Sequence, residues 1–205
     1  MGYSKMAIYP KLIEETMDFY KQLPGIGEKN AERLALATMA IDEDAISDFA
    51  NCILNLKTLH ACPICGHLTD EEICNICSDD VREKNVICVT EDSKSVFTFE
   101  KSGHFNGVYH VLNGLISPID DISPEDINIA SLVSRVKEME NPELILSLKS
   151  SIEGETTMLY LKKIFENSNV IISRLSYGIP MGADIDYLDP VTIDKALVDR
   201  KKISE

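Results

Sequence analysis

Four of the six cysteines in this 205-residue chain fall in one short stretch, as two pairs of the form Cys-x-x-Cys. The first pair is Cys62 with Cys65, the second is Cys74 with Cys77, and eight residues separate them. Two-residue spacing lets both thiolates of a turn face a common centre. Two such turns complete the tetrahedral sulfur shell that suits Zn²⁺. The spacing therefore predicts a closed, structural zinc site.

Disulfide bonds and a redox-active pair are the alternatives at these cysteines. Disulfides are disfavoured because the N-terminus shows no export signal, and a redox Cys-x-x-Cys would not be expected twice. His60 and His67 lie nearby and could replace a cysteine, although four thiolates already fill the shell. Cys52 and Cys88 stand in apolar runs, which predicts that both are core residues.

A second stretch with possible chemistry is residues 23–35, which read LPGIGEKNAERLA. The glycines Gly25 and Gly27 permit a tight turn and a close approach of another backbone. The helix predicted after them begins with unpaired N–H groups, which attract an anion such as a phosphate. The pattern is therefore that of a helix–turn–helix able to bind a nucleic-acid backbone.

Lys29 and Arg33 are four residues apart in this stretch and so share one face of the predicted helix. On that face they can flank a phosphate. The alternative is a plain turn between two packed helices, in which these basic side chains pair with Glu28 and Glu32. The residues alone leave both interpretations open.

Two further candidates are acids near the ends of predicted strands. Glu91 directly follows the strand predicted at 86–90, and Glu153 comes shortly after the one predicted at 144–148. Ligands and metals gather at the carboxyl ends of parallel strands, so a strand-end Glu and a second acidic loop could hold Mg²⁺. The alternative, which the acids alone favour, is that they cap the next helix, as Glu155 would.

Composition narrows the class of protein. With 44% hydrophobic and 26% charged residues the chain is globular, and no apolar run reaches the roughly 18 residues of a membrane span. A net charge of -14 argues against non-specific coating of nucleic acid. The first forty residues are neutral, with five basic and five acidic side chains, whereas the rest of the chain carries the whole negative charge. A polyanion is therefore more compatible with this N-terminal segment than with the rest of the chain.

Hydrophobic spacing predicts an α/β chain of several parts. We expect a helical region at 1–57, a cysteine module at 58–79, an α/β domain at 80–173 and a C-terminal segment at 174–205. Alternating strands and helices imply a parallel sheet covered by helices. The predicted helices are 12–20, 28–39, 42–57, 93–101, 129–139 and 155–166, and the predicted strands are 86–90, 108–112, 144–148 and 170–173.

The order of these parts resembles the bacterial recombination mediator family RecR over essentially the full length. The family joins a helix-hairpin-helix motif, a four-cysteine zinc finger and a Toprim domain. The strings that carry the resemblance are LPGIGEKNAERLA (23–35), CPICGHLTDEEICNIC (62–77), GVYHVLNGLISPID (107–120), IEGETT (152–157) and GIPMGADIDYLDPVTIDKAL (178–197).

The resemblance implies a DNA-binding mediator with no catalytic activity of its own. Such proteins form homo-oligomers, commonly a ring-like tetramer, through the N-terminal helices and a Walker B-like C-terminal segment. They act with RecO and RecF in recombinational repair to load RecA on gapped single-stranded DNA. The resemblance places DNA binding on Lys29 and Arg33 and partner binding on Glu91 and Glu153, in a cytoplasmic, nucleoid-associated protein.

Several positions depart from the family pattern. Leu148-Lys149-Ser150 stands where Toprim enzymes carry Asp-x-Asp, which argues against the alternative function of a Mg²⁺-dependent nuclease or nicking enzyme. Lys149-Ser150 also replaces a common Asn-Pro, Tyr177 a common His, and Ala183 a common Gly. No G-x-x-x-x-G-K-[ST] string occurs, which makes a P-loop nucleotide site unexpected.

Overall fold

Apolar side chains at helical spacing organise the first part of the chain into three helices. The computed structural model describes residues 8–176 and 178–202, and the chain divides after Leu59 into two units. Tyr177, one of the departures from the family pattern, lies outside the described residues. The helices of the first unit are α1 (Lys11–Lys21), α2 (Glu28–Met39) and α3 (Glu43–Asn55), and a 3-10 turn follows at Leu56–Thr58.

Helices α1 and α2 pack against each other around a small buried core. Its buried members are Met17, Ala31 and Ala35, and two alanines on α2 let the helix backbones come close. The Tyr20 hydroxyl lies 2.5 Å from the Thr38 hydroxyl, which fixes the two helices to each other. The predicted helices at 12–20 and 28–39 are both present with almost unchanged bounds.

Helix α3 buries none of its residues within the single chain. Its apolar side chains Phe49, Ile53 and Leu54 are all exposed, and Ile53 keeps 49% of its surface. The prediction that Cys52 is a core residue is therefore wrong, because Cys52 is exposed on a helix that buries none of its residues in the described part of the chain. The helix also ends earlier than predicted, since the chain tightens into the 3-10 turn after Asn55.

The second unit is an α/β domain in which a zinc-finger-like hairpin precedes a parallel sheet. The sheet has the order β4-β3-β5-β6, and β1 and β2 form a separate antiparallel pair. Its elements are β1 (His60–Ala61), β2 (Leu68–Thr69), α4 (Asn75–Ser78), β3 (Glu83–Thr90), α5 (Ser93–Ser102), β4 (Gly107–Val111), α6 (Ile129–Lys137), β5 (Glu143–Ser147), α7 (Ile152–Ile164), β6 (Ile171–Arg174), a 3-10 turn (Ile185–Tyr187) and α8 (Pro190–Val198).

The core of this unit lies on the central strands, which are apolar because helices cover the parallel sheet. Ile87, Val108 and Leu144 are fully buried, and so is Leu132 on α6. Cys88 is also buried on β3, as predicted for a core residue. The predicted α/β class with a parallel sheet is thus confirmed.

Two helix boundaries show how local capping decides the ends. Gly103 adopts φ of +67° and ends α5, as its position predicted. Helix α7 begins at Ile152, earlier than the predicted Glu155, because the Ser151 side chain accepts the N–H of Gly154 as an N-cap. Glu153 therefore stands in the first turn of a helix and not in an acidic loop.

Polar contacts attach the C-terminal segment to the rest of the second unit. Lys195 Nζ lies 3.0 Å from Ser150 Oγ and 3.1 Å from Glu155 Oε1, and Arg174 lies 2.9 Å from Asp199. Helix α8 itself has no buried residue. Within the ranges that the structure describes, no helix is both long and apolar enough to span a membrane.

His110 on β4 is a fully buried ionisable residue in this core. Its Nε2 lies 2.8 Å from the carbonyl oxygen of Asn128, whereas its buried Nδ1 has no hydrogen-bond partner among the described residues. Burial lowers the pKa of His110 to about 4, because the sheet and α6 desolvate the charged imidazolium.

This burial predicts a loss of stability in mild acid. The folded-state pKa of about 4 lies below the ordinary value, so the stability is present above about pH 6.5 and declines as the pH falls toward 4. We expect His110 to cost about 1 kcal/mol of unfolding free energy between about pH 7.5 and about pH 5.5. Urea unfolding of zinc-saturated protein at both pH values measures it.

The matched comparison is His110→Gln against His104→Gln, since His104 is exposed. The acid-induced loss should shrink by about 1 kcal/mol in His110→Gln and stay unchanged in His104→Gln. Zinc loss in acid affects all three proteins alike. An equal acid-induced loss in all three would contradict the role of His110.

Candidate metal centre and nucleic-acid interface

The four predicted ligands converge in space. The Sγ atoms of Cys62, Cys65, Cys74 and Cys77 all lie within 4.8 Å of one another. A tetrahedral zinc site with Zn–S bonds of about 2.3 Å places its sulfur atoms about 3.8 Å apart. The Sγ atoms of Cys65 and Cys74 are 3.6 Å apart, so the donor set fits structural Zn²⁺.

Local backbone geometry builds this centre. The Cys62 amide donates to the carbonyl of His67 at 2.7 Å, and the Gly66 amide donates to the carbonyl of Cys62 at 2.8 Å. Gly66 has φ of +74°, a conformation that L side chains rarely adopt, so the glycine allows the chain to reverse after the first pair. The first Cys-x-x-Cys thus sits inside the β1–β2 hairpin.

Hydrogen bonds to sulfur prepare the site for a cation. The backbone amide of His67 donates to Cys65 Sγ at 3.4 Å, and that of Cys77 donates to Cys74 Sγ at 3.4 Å. Interaction with the thiols of Cys65 and Cys77 lowers the pKa of Cys74, which favours the thiolate that binds metal.

The two nearby histidines take other positions. His67 is buried and its ring packs edge-on against Phe97, with ring centroids 5.0 Å apart. His60 is exposed at the start of β1. In the part of the chain that the structure describes, the four cysteines form the only cluster of three or more metal-ligating groups.

The carboxyl edge of the sheet holds a cleft at the point where the strand order reverses. The chain passes from β3 to β4 on one side and then to β5 on the other, and ligand sites commonly form at such a point. The cleft has a volume of about 410 Å³, and its walls come from residues 91–98 and 147–149. Glu91 lies in it, as its place after the strand predicted.

Charges of both signs line this cleft. Lys94 and Lys149 stand there together with Glu91 and Asp92. The Asp92 carboxylate already accepts the amide of Ser95 at 2.9 Å as the N-cap of α5. Lys149 is one of the residues that depart from the family pattern, and it adds a positive charge to the cleft.

Glu153 does not belong to the walls of this cleft but stands close to them on α7. A hydrogen bond with the Ser151 side chain lowers the pKa of Glu153, and Lys149 lowers it further. The next residue, Gly154, packs so tightly that a Cβ atom would lie 1.9 Å from the carbonyl oxygen of Lys149. The glycine in the string IEGETT is therefore a steric requirement of the turn between β5 and α7.

The hairpin between α1 and α2 exposes two basic side chains. Lys29 and Arg33 are exposed, and neither forms an ion pair with another described residue. The acids of the alternative interpretation are engaged elsewhere. Glu28 lies 3.2 Å from Lys21, and a hydrogen bond with Glu32 raises the pKa of Tyr9.

The start of α2 is open to an incoming group. Its N-cap is Gly27, which provides no side-chain hydrogen bond, and Gly25 has φ of +80°. A Cβ atom added at either glycine would meet nothing within 4 Å. The first N–H groups of α2 thus remain accessible beside Lys29 and Arg33, an arrangement suited to a phosphate.

Sequence reasoning missed two of these features. The sequence predicts Glu91 at the sheet edge but does not single out Lys94, although Lys94 stands in the first turn after that strand-end Glu. The steric role of Gly154 was also missed, because the approach of the Lys149 carbonyl is a tertiary contact that no spacing reveals.

The sulfur cluster predicts that zinc supports the fold through Cys74. We expect wild type to contain one zinc ion per chain, and Cys74→Ser to lose it together with several kcal/mol of stability, a Tm decrease on the order of 10 °C. Zinc content by mass spectrometry and thermal unfolding measure both. Cys52→Ser is the matched control, since Cys52 is exposed on α3 and should keep both zinc and Tm. A zinc-loaded Cys74→Ser protein would contradict the assignment.

Comparison with known families matches three consecutive parts of the chain. Residues 59–79 match the RecR zinc finger domain of the four-cysteine type, residues 85–176 match the Toprim domain, and residues 178–201 match the RecR C-terminal family. The first match contains all four cysteines of the metal centre, and the second contains the cleft at the sheet edge. Two of the three families are specific to RecR and they occur in the order expected from the sequence, so the three matches together support a RecR identity for the chain.

Proposed function

We propose that this chain is a DNA-binding recombination mediator in DNA repair that performs no covalent chemistry of its own. The matches to the RecR zinc finger and RecR C-terminal families support the role of mediator. The observation that supports DNA contact is the hairpin of the first unit. There the exposed Lys29 and Arg33 have no acidic partner among the described residues and flank the uncapped start of α2.

The contact we propose is with the sugar-phosphate backbone and does not depend on base sequence. A phosphate would accept hydrogen bonds from the N–H groups at the start of α2 and would interact with the two basic side chains. Two cations per chain provide only modest affinity, especially on a subunit with a net charge of -14. Binding should accordingly weaken steeply as salt increases.

Several copies of the hairpin would supply the missing affinity. The apolar face of α3, with Phe49, Ile53 and Leu54, has no partner within the described part of the chain. Exposed apolar surface on this scale commonly marks a protein interface. We propose that a second copy covers it and that the assembly is a ring-like clamp, commonly a tetramer in the family. Avidity then raises the affinity for DNA.

The proposed protein partners are those of the family. In this proposal the chain acts with RecO and RecF in the cytoplasm, at the nucleoid, to load RecA on gapped single-stranded DNA. Glu91 in the cleft and Glu153 beside it are the proposed contacts. The negative charge of the chain outside its first forty residues favours a basic partner.

The DNA site is tested by the double variant Lys29→Ala/Arg33→Ala. Fluorescence anisotropy with a labelled gapped duplex should show an affinity at least about tenfold lower than wild type at low salt, because two phosphate contacts are lost. The dependence of log Kd on log salt should also become shallower by about two. Unchanged affinity and slope in the variant would refute the site.

Two further variants separate DNA contact from net charge and from folding. Lys162→Ala/Lys163→Ala removes the same charge from α7 and should leave the affinity nearly unchanged. Gly27→Ala places a methyl group in open space at φ of -91°, so the fold should tolerate it. That methyl would nevertheless stand where a phosphate approaches α2, and we expect weaker DNA binding with an unchanged Tm.

The interface proposed on α3 is tested by Ile53→Glu. A charge buried between two copies is costly, so we expect the variant to shift toward smaller species in size-exclusion chromatography with light scattering. Ile119→Glu is the matched control, because Ile119 is 86% exposed on the second unit. A wild-type mass equal to that of one chain, or an unchanged mass in Ile53→Glu, would contradict this interface.

A further inference from the structure

The turn that follows the first Cys-x-x-Cys makes contacts beyond the metal centre. We call residues 65–68 the knuckle segment. It begins with the zinc ligand Cys65 and ends with Leu68 on β2. All four of its residues contact either α5 or the end of β4, and these contacts lie inside the second unit.

One contact reaches the first turn of α5. The backbone amide of Leu68 donates a hydrogen bond to Ser93 Oγ at 3.0 Å. Ser93 is the first residue of α5 and immediately follows Asp92, which caps the helix. The same turn includes Lys94 and Ser95, which form one wall of the carboxyl-edge cleft together with Glu91.

Two more contacts lie on either side of this one. The His67 ring packs against Phe97 with ring centroids 5.0 Å apart, one turn further along α5. The Cys65 carbonyl accepts the amide of Val111 at 2.7 Å, at the end of β4. A Cβ atom on Gly66 would lie 2.8 Å from the Val111 carbonyl, so the knuckle segment fits directly against the sheet edge.

The knuckle segment keeps this shape through the sulfur centre. Cys65 Sγ accepts the His67 amide at 3.4 Å, and zinc bound to Cys65 would fix the position of that sulfur. We propose that zinc, acting through the knuckle segment, positions the first turn of α5 and therefore sets the shape of the cleft that carries Glu91. Ser93 is the positioning residue in this link.

The consequence is that the cleft at the sheet edge depends on metal occupancy of the sulfur cluster. The geometric part of the proposal stands without any partner. Its relevance to partner binding rests on the proposed function, in which Glu91 contacts a protein. Measurements of backbone exchange in the free protein test the geometry separately from that function.

Hydrogen–deuterium exchange on zinc-loaded and zinc-depleted protein tests the link. After chelation we expect exchange at least about tenfold faster in peptides over 91–97 and 107–112, because their contacts with the knuckle segment are lost. The control peptide is 159–174, which covers the end of α7 and β6 in the same unit. A change confined to 60–79, or an equal change in every peptide of the unit, would overturn the proposal.

The variant Ser93→Ala tests the link while zinc stays bound. We expect a full zinc content, with faster exchange at the Leu68 amide and over 91–95. Ser93→Thr should return exchange in both regions to the wild-type rate, because it keeps the hydroxyl. Ser102→Ala is the matched control, since the Ser102 hydroxyl bonds to Phe99 at the other end of α5. Exchange in Ser93→Ala equal to that of wild type would refute the role of Ser93.

Discussion

The hydrogen bond from the Val111 amide to the Cys65 carbonyl joins the sulfur centre to the sheet, and it ties the cysteine hairpin to the end of β4. A small hairpin with two-residue strands buries too little apolar surface to be stable by itself. Zinc and the edge of β4 together supply what the hairpin lacks. The cysteine module thus lies inside the compact unit that begins at His60.

Features that depend on local spacing could be predicted from the sequence. The zinc ligands, the parallel sheet and the end of α5 at Gly103 follow from two-residue spacing, β-branched runs and a left-handed glycine. Features that depend on tertiary neighbours could not. Cys52 stands in an apolar run typical of a core, yet α3 has nothing to pack against within the described part of one chain. Glu153 is a different case, because its place was decided by a local cap at Ser151 that the predicted helix start at 155 did not include.

The charge distribution of the chain separates two kinds of contact. Lys29 and Arg33 stand on the first unit, whose first forty residues are neutral, while the acidic residues of the cleft stand on the second. In the proposed function, a polyanion and a basic protein would therefore meet different units of the chain. Lys149 modifies this division, since together with Lys94 it balances the charges of Glu91 and Asp92 in the cleft.

The contact between Gly154 and the Lys149 carbonyl also bears on how related sequences can be recognised. With only 1.9 Å available at the Cβ position, even alanine would force the β5–α7 turn apart. The nearest atoms in this contact are backbone atoms of residue 149, and so Asn-Pro and Lys-Ser can occupy the same turn. A search for distant relatives should thus require a glycine as the third residue of the helix and ignore the residue types of the loop before it.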